Sequence, residues 1–339
     1  MNYKAWIYHA PGNFTYEDRR MRECGDDDII LKTVYTTLCG TDLIAWRTGG
    51  EKEYIYPGDE FGHECCTRIY EKGKNVQDLE VGQRVFAYPS LCVPKPKKGS
   101  VLGGFSEYIY IENAKAGYNI FPIPDSIPDE VAALIEPLGV SWCAASNTEP
   151  KPGQSAIVWG CGGIGIGAAM CLRTLGCEKI VVVDRQPAKL AVARELGFRT
   201  VNTGSENWID EIMDYLGYTH NIFGKCFNAD IQLEMTGNPD ILHTAYKLAA
   251  PRSTFQISSV YPGPQSLDLR LITFLRVKLV GGAGMRPEHV RPVVDMLTSG
   301  RFDFTKLYTS SFRPSELITA IRSSENGEQI KIGLDFRKD

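Results

Sequence analysis

The chain has ten cysteines but no Cys-x-x-Cys pair. That absence removes the compact thiol clusters of structural zinc ribbons and of thioredoxin-like redox motifs. Cys65 and Cys66 are adjacent, and adjacent side chains in a strand point to opposite faces, so they do not converge on one site. Most of the thiols read as small core residues. No apolar run approaches the ~20 residues that span a bilayer. Lys4, His9 and Glu17 interrupt the amino-terminal segment where a secretory signal would need an apolar stretch. The expected setting is the cytoplasm, with no membrane partner. A large excess of either charge is lacking as well, with 37 Lys and Arg against 41 Asp and Glu. The net charge of −4 offers no footprint for nucleic acid. The one dense basic run, Lys95-Pro-Lys-Lys98, is short and broken by proline, and reads as a solvated loop. Internal repeats and low-complexity segments are lacking too.

What is present is an ordinary globular composition, 43% apolar and 23% charged over 339 residues, a length that suggests about two domains of roughly 150 residues. Residues 1–110 carry short β-type runs at 4–8, 29–36, 64–70, 84–87 and 105–111. Turn signals such as Pro11-Gly12, Gly49-Gly50, Pro57-Gly58, Gly73 and Gly82 separate them. A helix is expected over 130–138, continuing through 141–146. Composition changes at Thr148-Glu-Pro-Lys-Pro-Gly153. Beyond it, strand and helix patterns alternate to about residue 282, the signature of a parallel sheet covered on both faces. The segment 217–229 interrupts that series as a long loop, and a helix is expected over 287–298. The sequence thus predicts an α/β protein in three stretches: a β-rich first part over 1–150, a doubly wound part over 151–286, and a tail over 287–339 that returns to the first part.

The doubly wound part opens on Ser155-Ala-Ile-Val-Trp-Gly-Cys-Gly-Gly-Ile-Gly165. Gly160, Gly162 and Gly165 stand at Gly-x-Gly-x-x-Gly spacing between a strand and a helix start. There the first glycine allows a tight turn, the second lets the backbone approach a pyrophosphate, and the third lets helix pack on strand. Backbone N–H groups of Gly163 and Ile164 then open the helix toward the phosphates. A second strand ends in Asp184, at about the twenty-residue spacing where an acidic side chain binds ribose hydroxyls. Asp184 favours NAD, because a carboxylate repels a 2′-phosphate; Arg185 beside it keeps NADP as the alternative. Glu234-Met-Thr-Gly237 ends a later strand, which places Thr236 on the cofactor wall.

Three further segments hold metal-type residues: Cys39-Gly-Thr-Asp42, Gly62-His-Glu64 and Glu136-Pro-Leu138. A thiolate, an imidazole and a carboxylate supply three protein ligands to Zn2+ and leave one position open, the pattern of a catalytic rather than a structural site.

With these motifs ahead of a dinucleotide fingerprint, the chain resembles the zinc-dependent medium-chain dehydrogenase/reductase family, and within it the polyol (sorbitol-like) branch. Gly82-Gln-Arg-Val85 and Gly104-Phe-Ser-Glu-Tyr108 match further motifs of that family. The resemblance implies a GroES-like β-rich catalytic domain and a Rossmann domain. It implies that Cys39 and His63 ligate zinc, with Glu64 and Glu136 as the two carboxylates, either of which could be the direct ligand. Asp42 would accept the second N–H of His63, and Thr41 would bond the substrate oxygen and take its proton. Many relatives carry a structural zinc on four cysteines; the region 89–103 here has only Cys92, so one catalytic zinc and no structural zinc are expected. A histidine common in the family is replaced by Ile44. Glutamate at 136 points to a polyol, sugar or cyclitol as the small-molecule substrate. Trp46, Tyr54, Glu107 and Arg286 are further polar-cleft candidates. A homodimer or homotetramer is implied by the family, with the strand at Gly281-Gly282 near the pairing edge. The rival expectations are an NADPH-dependent biosynthetic ketone reductase, a relative that has lost zinc and only binds, and a thiol redox sensor.

Overall fold

The structure is a computed structural model and describes residues 1–282 and 284–338. Its chain divides into two compact units. The first comprises Met1–Glu136, Val290–Gly300 and the segment from Tyr308 onward; the second comprises Pro137–His289 and Arg301–Leu307. The division falls within the helix Ile135–Ser146. The Pro/Gly-rich stretch at 148–153 lies inside the second unit, as the turn into its first strand.

The first unit is built on a seven-stranded sheet. Its central strand, Ile29–Thr37, pairs antiparallel with Glu64–Lys72 on one side. On the other side it pairs with Tyr108–Ile111 along its first half and with Lys331–Asp335 along its last residues. The amino-terminal hairpin, Asn2–Ala10 with Asn13–Arg20, lies apart from that sheet. The expected strand at 105–111 starts only at Tyr108, because residues 105–107 bond elsewhere: Phe105 N–H donates to Phe61, Glu107 N–H donates to Lys4, and Ser106 bridges Ala5. The expected helix at 130–138 is two pieces, Asp129–Ala132 and Ile135–Ser146. Pro137 stands in the first turn of the second piece, where its missing N–H would have had no helical partner.

The second unit holds a six-stranded, all-parallel sheet in the order Arg199–Asn202, Lys179–Asp184, Ser155–Trp159, Ile231–Glu234, Thr254–Ile257, Lys278–Gly281. Strand order therefore reverses between Ser155–Trp159 and Ile231–Glu234, and in such sheets a ligand binds outside the carboxyl ends of the two strands at the reversal. Phe227, Phe255, Trp159 and Tyr246 are buried in its core; burial of each such side chain contributes about 1.5–3 kcal/mol. The 217–229 segment is not a plain loop. Tyr218–Asn221 and Gly224–Phe227 form an antiparallel hairpin whose last residues, Cys226 and Phe227, are buried. The expected helix at 287–298 begins as a tight turn at Pro287–His289 and becomes α-helical over Val290–Thr298. No helix among the described residues is long and apolar enough to cross a membrane.

Candidate metal centre and dinucleotide site

Both strand geometry and glycine chemistry bring the metal-type residues together. Cys39 is the residue before the helix Gly40–Thr48. Asp42, in the first turn of that helix, accepts the Cys39 backbone N–H at Oδ2 over 2.8 Å, which fixes the cysteine at the helix entrance. His63 precedes the strand Glu64–Lys72. Gly62 before it has φ +90, and a Cβ there would lie 2.7 Å from the Phe105 ring, so only glycine lets the chain present His63 at this point. Ligand atoms of Cys39, His63 and Glu64 all lie within 4.8 Å of one another. His63 and Glu64 are buried and Cys39 is half-buried. Glu136, in the first turn of the helix Ile135–Ser146, stands outside that trio but near enough for its charge to act on His63.

The tail of the chain adds a residue that no motif announced. The strand Lys331–Asp335 lies beside Ile29–Thr37 and carries Lys331 into the same pocket. The Lys331 ammonium is buried and pairs with Glu64 Oε2, to which Thr37 Oγ1 also donates. The electrostatics follow from this crowding. Burial pushes the Asp42 carboxyl up to about 6, against the pull of His63, and pushes Glu136 up to about 7. Burial opposes charge on His63, but Cys39, Glu136 and Asp42 hold the imidazole well above its ordinary value. Burial likewise opposes charge on Lys331, but Glu64, Cys39 and Glu136 together hold the ammonium above its ordinary value.

One expected contact is corrected. Asp42 does not accept from His63: its Oδ2 is committed to the Cys39 backbone, while Asp42 Oδ1 and His63 Nδ1 are both buried without a hydrogen-bond partner. Thr41 Oγ1, in the first turn of the same helix, is also buried and unpartnered. Buried polar atoms are costly when unsatisfied. A thiol, an imidazole and a carboxylate within reach of one another, flanked by unpartnered polar atoms, form a donor set that fits Zn2+. Of the other polar-cleft candidates, Trp46 packs edge-on against Phe14 at 4.9 Å. Glu107 accepts the Lys4 backbone N–H, Tyr54 lies under the Lys98 ammonium, and Arg286 faces Glu288. Cys92, the lone thiol of the 89–103 region, is buried and donates to the Asn119 carbonyl.

In the second unit the fingerprint takes the form its spacing predicts. The helix Gly163–Thr174 starts directly after Gly162, and Ile164 lies in its first turn. A Cβ at Gly165 would lie 1.9 Å from the Gly160 carbonyl oxygen, so the helix packs against the turn with no room for a side chain. Asp184 ends its strand with both oxygens engaged: Oδ2 accepts Cys161 N–H at 2.7 Å and Oδ1 accepts Gln186 N–H at 2.8 Å. Arg185 beside it is exposed. Thr236 sits in the turn after Ile231–Glu234, its hydroxyl donating to Glu234 and accepting from Asn238 N–H.

Comparison with known proteins matches both halves. Residues 25–125 match the alcohol dehydrogenase GroES-like domain, and residues 163–299 match the zinc-binding dehydrogenase domain. The chain belongs to the zinc-dependent medium-chain dehydrogenase family. As such it is an oxidoreductase of the NAD(P)-dependent alcohol dehydrogenase class. Among its curated relatives, L-threonine 3-dehydrogenase of Chelativorans sp. (strain BNC1) is 25% identical over 98% of both chains. L-galactonate-5-dehydrogenase of Escherichia coli (strain K12) is 27% identical over 90% of both. Among solved structures, 2R,3R-butanediol dehydrogenase from Bacillus subtilis shares the fold, with a TM-score of 0.85 at 23% identity over 98% of this chain and 99% of that one.

Proposed function

We propose that this dehydrogenase oxidises a secondary alcohol of a polyhydroxylated small molecule, a polyol, sugar or cyclitol, with NAD. The observation that carries the reading is the trio Cys39, His63 and Glu64 within 4.8 Å, with unpartnered Thr41 Oγ1 on the adjoining helix turn. Cys39, His63 and Glu64 would hold one Zn2+, with Glu136 as the second carboxylate behind them. Zinc at that position would supply Lewis acidity toward an alcohol oxygen, and the nicotinamide the carbon that accepts hydride. Thr41 Oγ1 offers the substrate hydroxyl a hydrogen-bond acceptor; position 44 is an exposed isoleucine and supplies no ionisable group to a proton relay. Lys331 holds the Glu64 carboxylate in place from the far side. The galactonate and butanediol named for two of the similar enzymes carry more than one hydroxyl, which supports the substrate class, whereas threonine shares with them only a secondary hydroxyl beside another polar group.

Gly160, Gly162, Gly163, Ile164 and Gly165 would receive the pyrophosphate, Asp184 the adenosine ribose, and Thr236 the wall beside it. Asp184 favours NAD; the exposed guanidinium of Arg185 is the group that an NADP preference would use. A second copy of the chain would pair along the edge strand Lys278–Gly281, and the protein would work in the cytoplasm.

The test is nicotinamide reduction, followed by absorbance, across polyols, aldoses and cyclitols with NAD and with NADP, using protein of verified zinc content. The expected result is turnover of a polyhydroxylated alcohol, faster with NAD. A chelator or Cys39→Ser should abolish it while NADH binding persists, since the trio and the fingerprint belong to different units. Undiminished turnover in Cys39→Ser would overturn the zinc assignment, and a rate confined to NADPH and a ketone would replace the direction and the cofactor.

A further inference from the structure

Three turns stack at the carboxyl ends of Ser155–Trp159 and Ile231–Glu234, where sheet order reverses, and of their neighbour Thr254–Ile257. The first is the fingerprint turn at Gly160, the second is Met235–Gly237, and the third begins at Ser258. They touch through backbone. A Cβ on Gly160 would lie 3.2 Å from the Met235 carbonyl oxygen, and one on Gly237, whose φ is +67, would lie 2.8 Å from the Val260 carbonyl oxygen. The middle turn is governed by Glu234, the last residue of its strand and fully buried. Its Oε1 accepts the Thr236 backbone N–H at 2.7 Å and the Thr236 hydroxyl. Its Oε2 accepts the Tyr261 phenol and, at 3.4 Å, the Gly237 N–H. Its backbone carbonyl accepts Ser258 N–H at 3.0 Å and the Ser259 hydroxyl at 3.1 Å.

Every one of these donors is neutral. A buried carboxylate held this way depends on them, because hydrogen bonds to an ionised group are the strong ones and an unmet buried charge is expensive. Tyr261 opens the stiff run Tyr261-Pro-Gly-Pro264, so a bond at its phenol fixes the start of that run. Burial and the facing Glu234 hold the phenol far above its ordinary value, which keeps it a donor.

We propose that Glu234 and Tyr261 are positioning residues: their carboxylate–phenol bond sets the Ser258–Pro264 loop against the Met235–Gly237 turn and so shapes the wall on which the dinucleotide lies. The proposal rests on the reading of this crevice as the dinucleotide site. Tyr261→Phe keeps the ring and deletes only the donor. In the full chain, NADH titrated by fluorescence should bind about tenfold more weakly, the scale of one hydrogen bond to a charged group. At saturating dinucleotide kcat should stay within about twofold, so that the loss falls on binding rather than on turnover. Glu234→Gln should bind NADH more weakly still, and adding Tyr261→Phe to it should cost little more, because both changes break the same bond.

Wild-type affinity in Tyr261→Phe would overturn the clamp, and so would a fall in Tm with affinity unchanged. If the unaltered chain bound neither NADH nor NADPH, the dinucleotide reading and the clamp would fall together, a result distinct from a clamp that fails in a chain that binds.

Discussion

Asp42, Glu136 and His63 bear on one another's charge. Asp42, pushed up to about 6, and Glu136, pushed up to about 7, both favour the protonated form in the folded chain, with burial the first cause. Each contributes stability that is complete below the unfolded carboxyl value of about 4 and is lost as pH rises through the folded value. His63, held above its ordinary value, acts in the same direction at higher pH. Zinc binding needs the deprotonated ligands, so it opposes this trend. Metal-free protein should therefore lose Tm between about pH 4 and about pH 7, and Glu136→Gln should flatten the upper part of that fall. The rise in Tm on adding Zn2+ should grow over the same range; an increment independent of pH would mean that no ligand releases a proton on binding. At this scale the sequence was informative where chemistry and motif coincide. Cys39, His63, Glu64 and Glu136 stand out in the sequence as metal-type residues with either carboxylate as the ligand, and the fold gathers the ligand atoms of the first three within 4.8 Å. Lys331 and Thr37 do not stand out, because a lone lysine in a tail strand and a threonine in a central one are common on any sheet, and only the fold brings them to Glu64. The Asp42–His63 bond was read from resemblance; the fold sets Asp42 Oδ2 on the Cys39 N–H and leaves Asp42 Oδ1 and His63 Nδ1 each without a partner.

Among the elements, the strand Lys331–Asp335 matters out of proportion to its length. It closes one side of Ile29–Thr37 and delivers the ammonium that neutralises Glu64. Removing one partner of a buried ion pair leaves the other charge uncompensated, a loss of about 3–5 kcal/mol. Lys331→Met should lower the unfolding free energy of the metal-free protein by about that amount, measured by denaturant titration, and Zn2+ should narrow the gap by giving Glu64 another cation. A loss of under about 1 kcal/mol would show that water or a proton already satisfies Glu64. Strand and helix alternation in the second unit was legible because parallel strands buried on both faces are continuous apolar runs. The 218–227 hairpin was not: Tyr218–Asn221 is half-buried or exposed, and Gly224–Phe227 runs from two exposed residues to two buried ones, so no alternation marks them as strands.

For the whole molecule, the open question of assembly turns on one edge. Lys278–Gly281 pairs with Thr254–Ile257 on one side, and among the described residues it is the end of its sheet. Near it in sequence, Phe274 is 69% exposed and Leu269 63% exposed. Exposed large apolar side chains and an unpaired strand edge are what a subunit contact on this edge would cover. Leu279→Asp should shift the elution of the protein toward the monomer in size-exclusion chromatography with light scattering, and an unchanged mass would place the subunit contact elsewhere. The same fold also sets an order of events at the ribosome. Glu64 and Lys331 are 267 residues apart, so at about 5–20 residues per second the carboxylate is synthesised tens of seconds before its cation. Through that interval the end of Ile29–Thr37, next to Cys39, has Glu64–Lys72 on one side and no strand on the other, and the newborn chain is most open to chaperones, or to a neighbouring nascent chain, where Cys39, His63 and Glu64 gather.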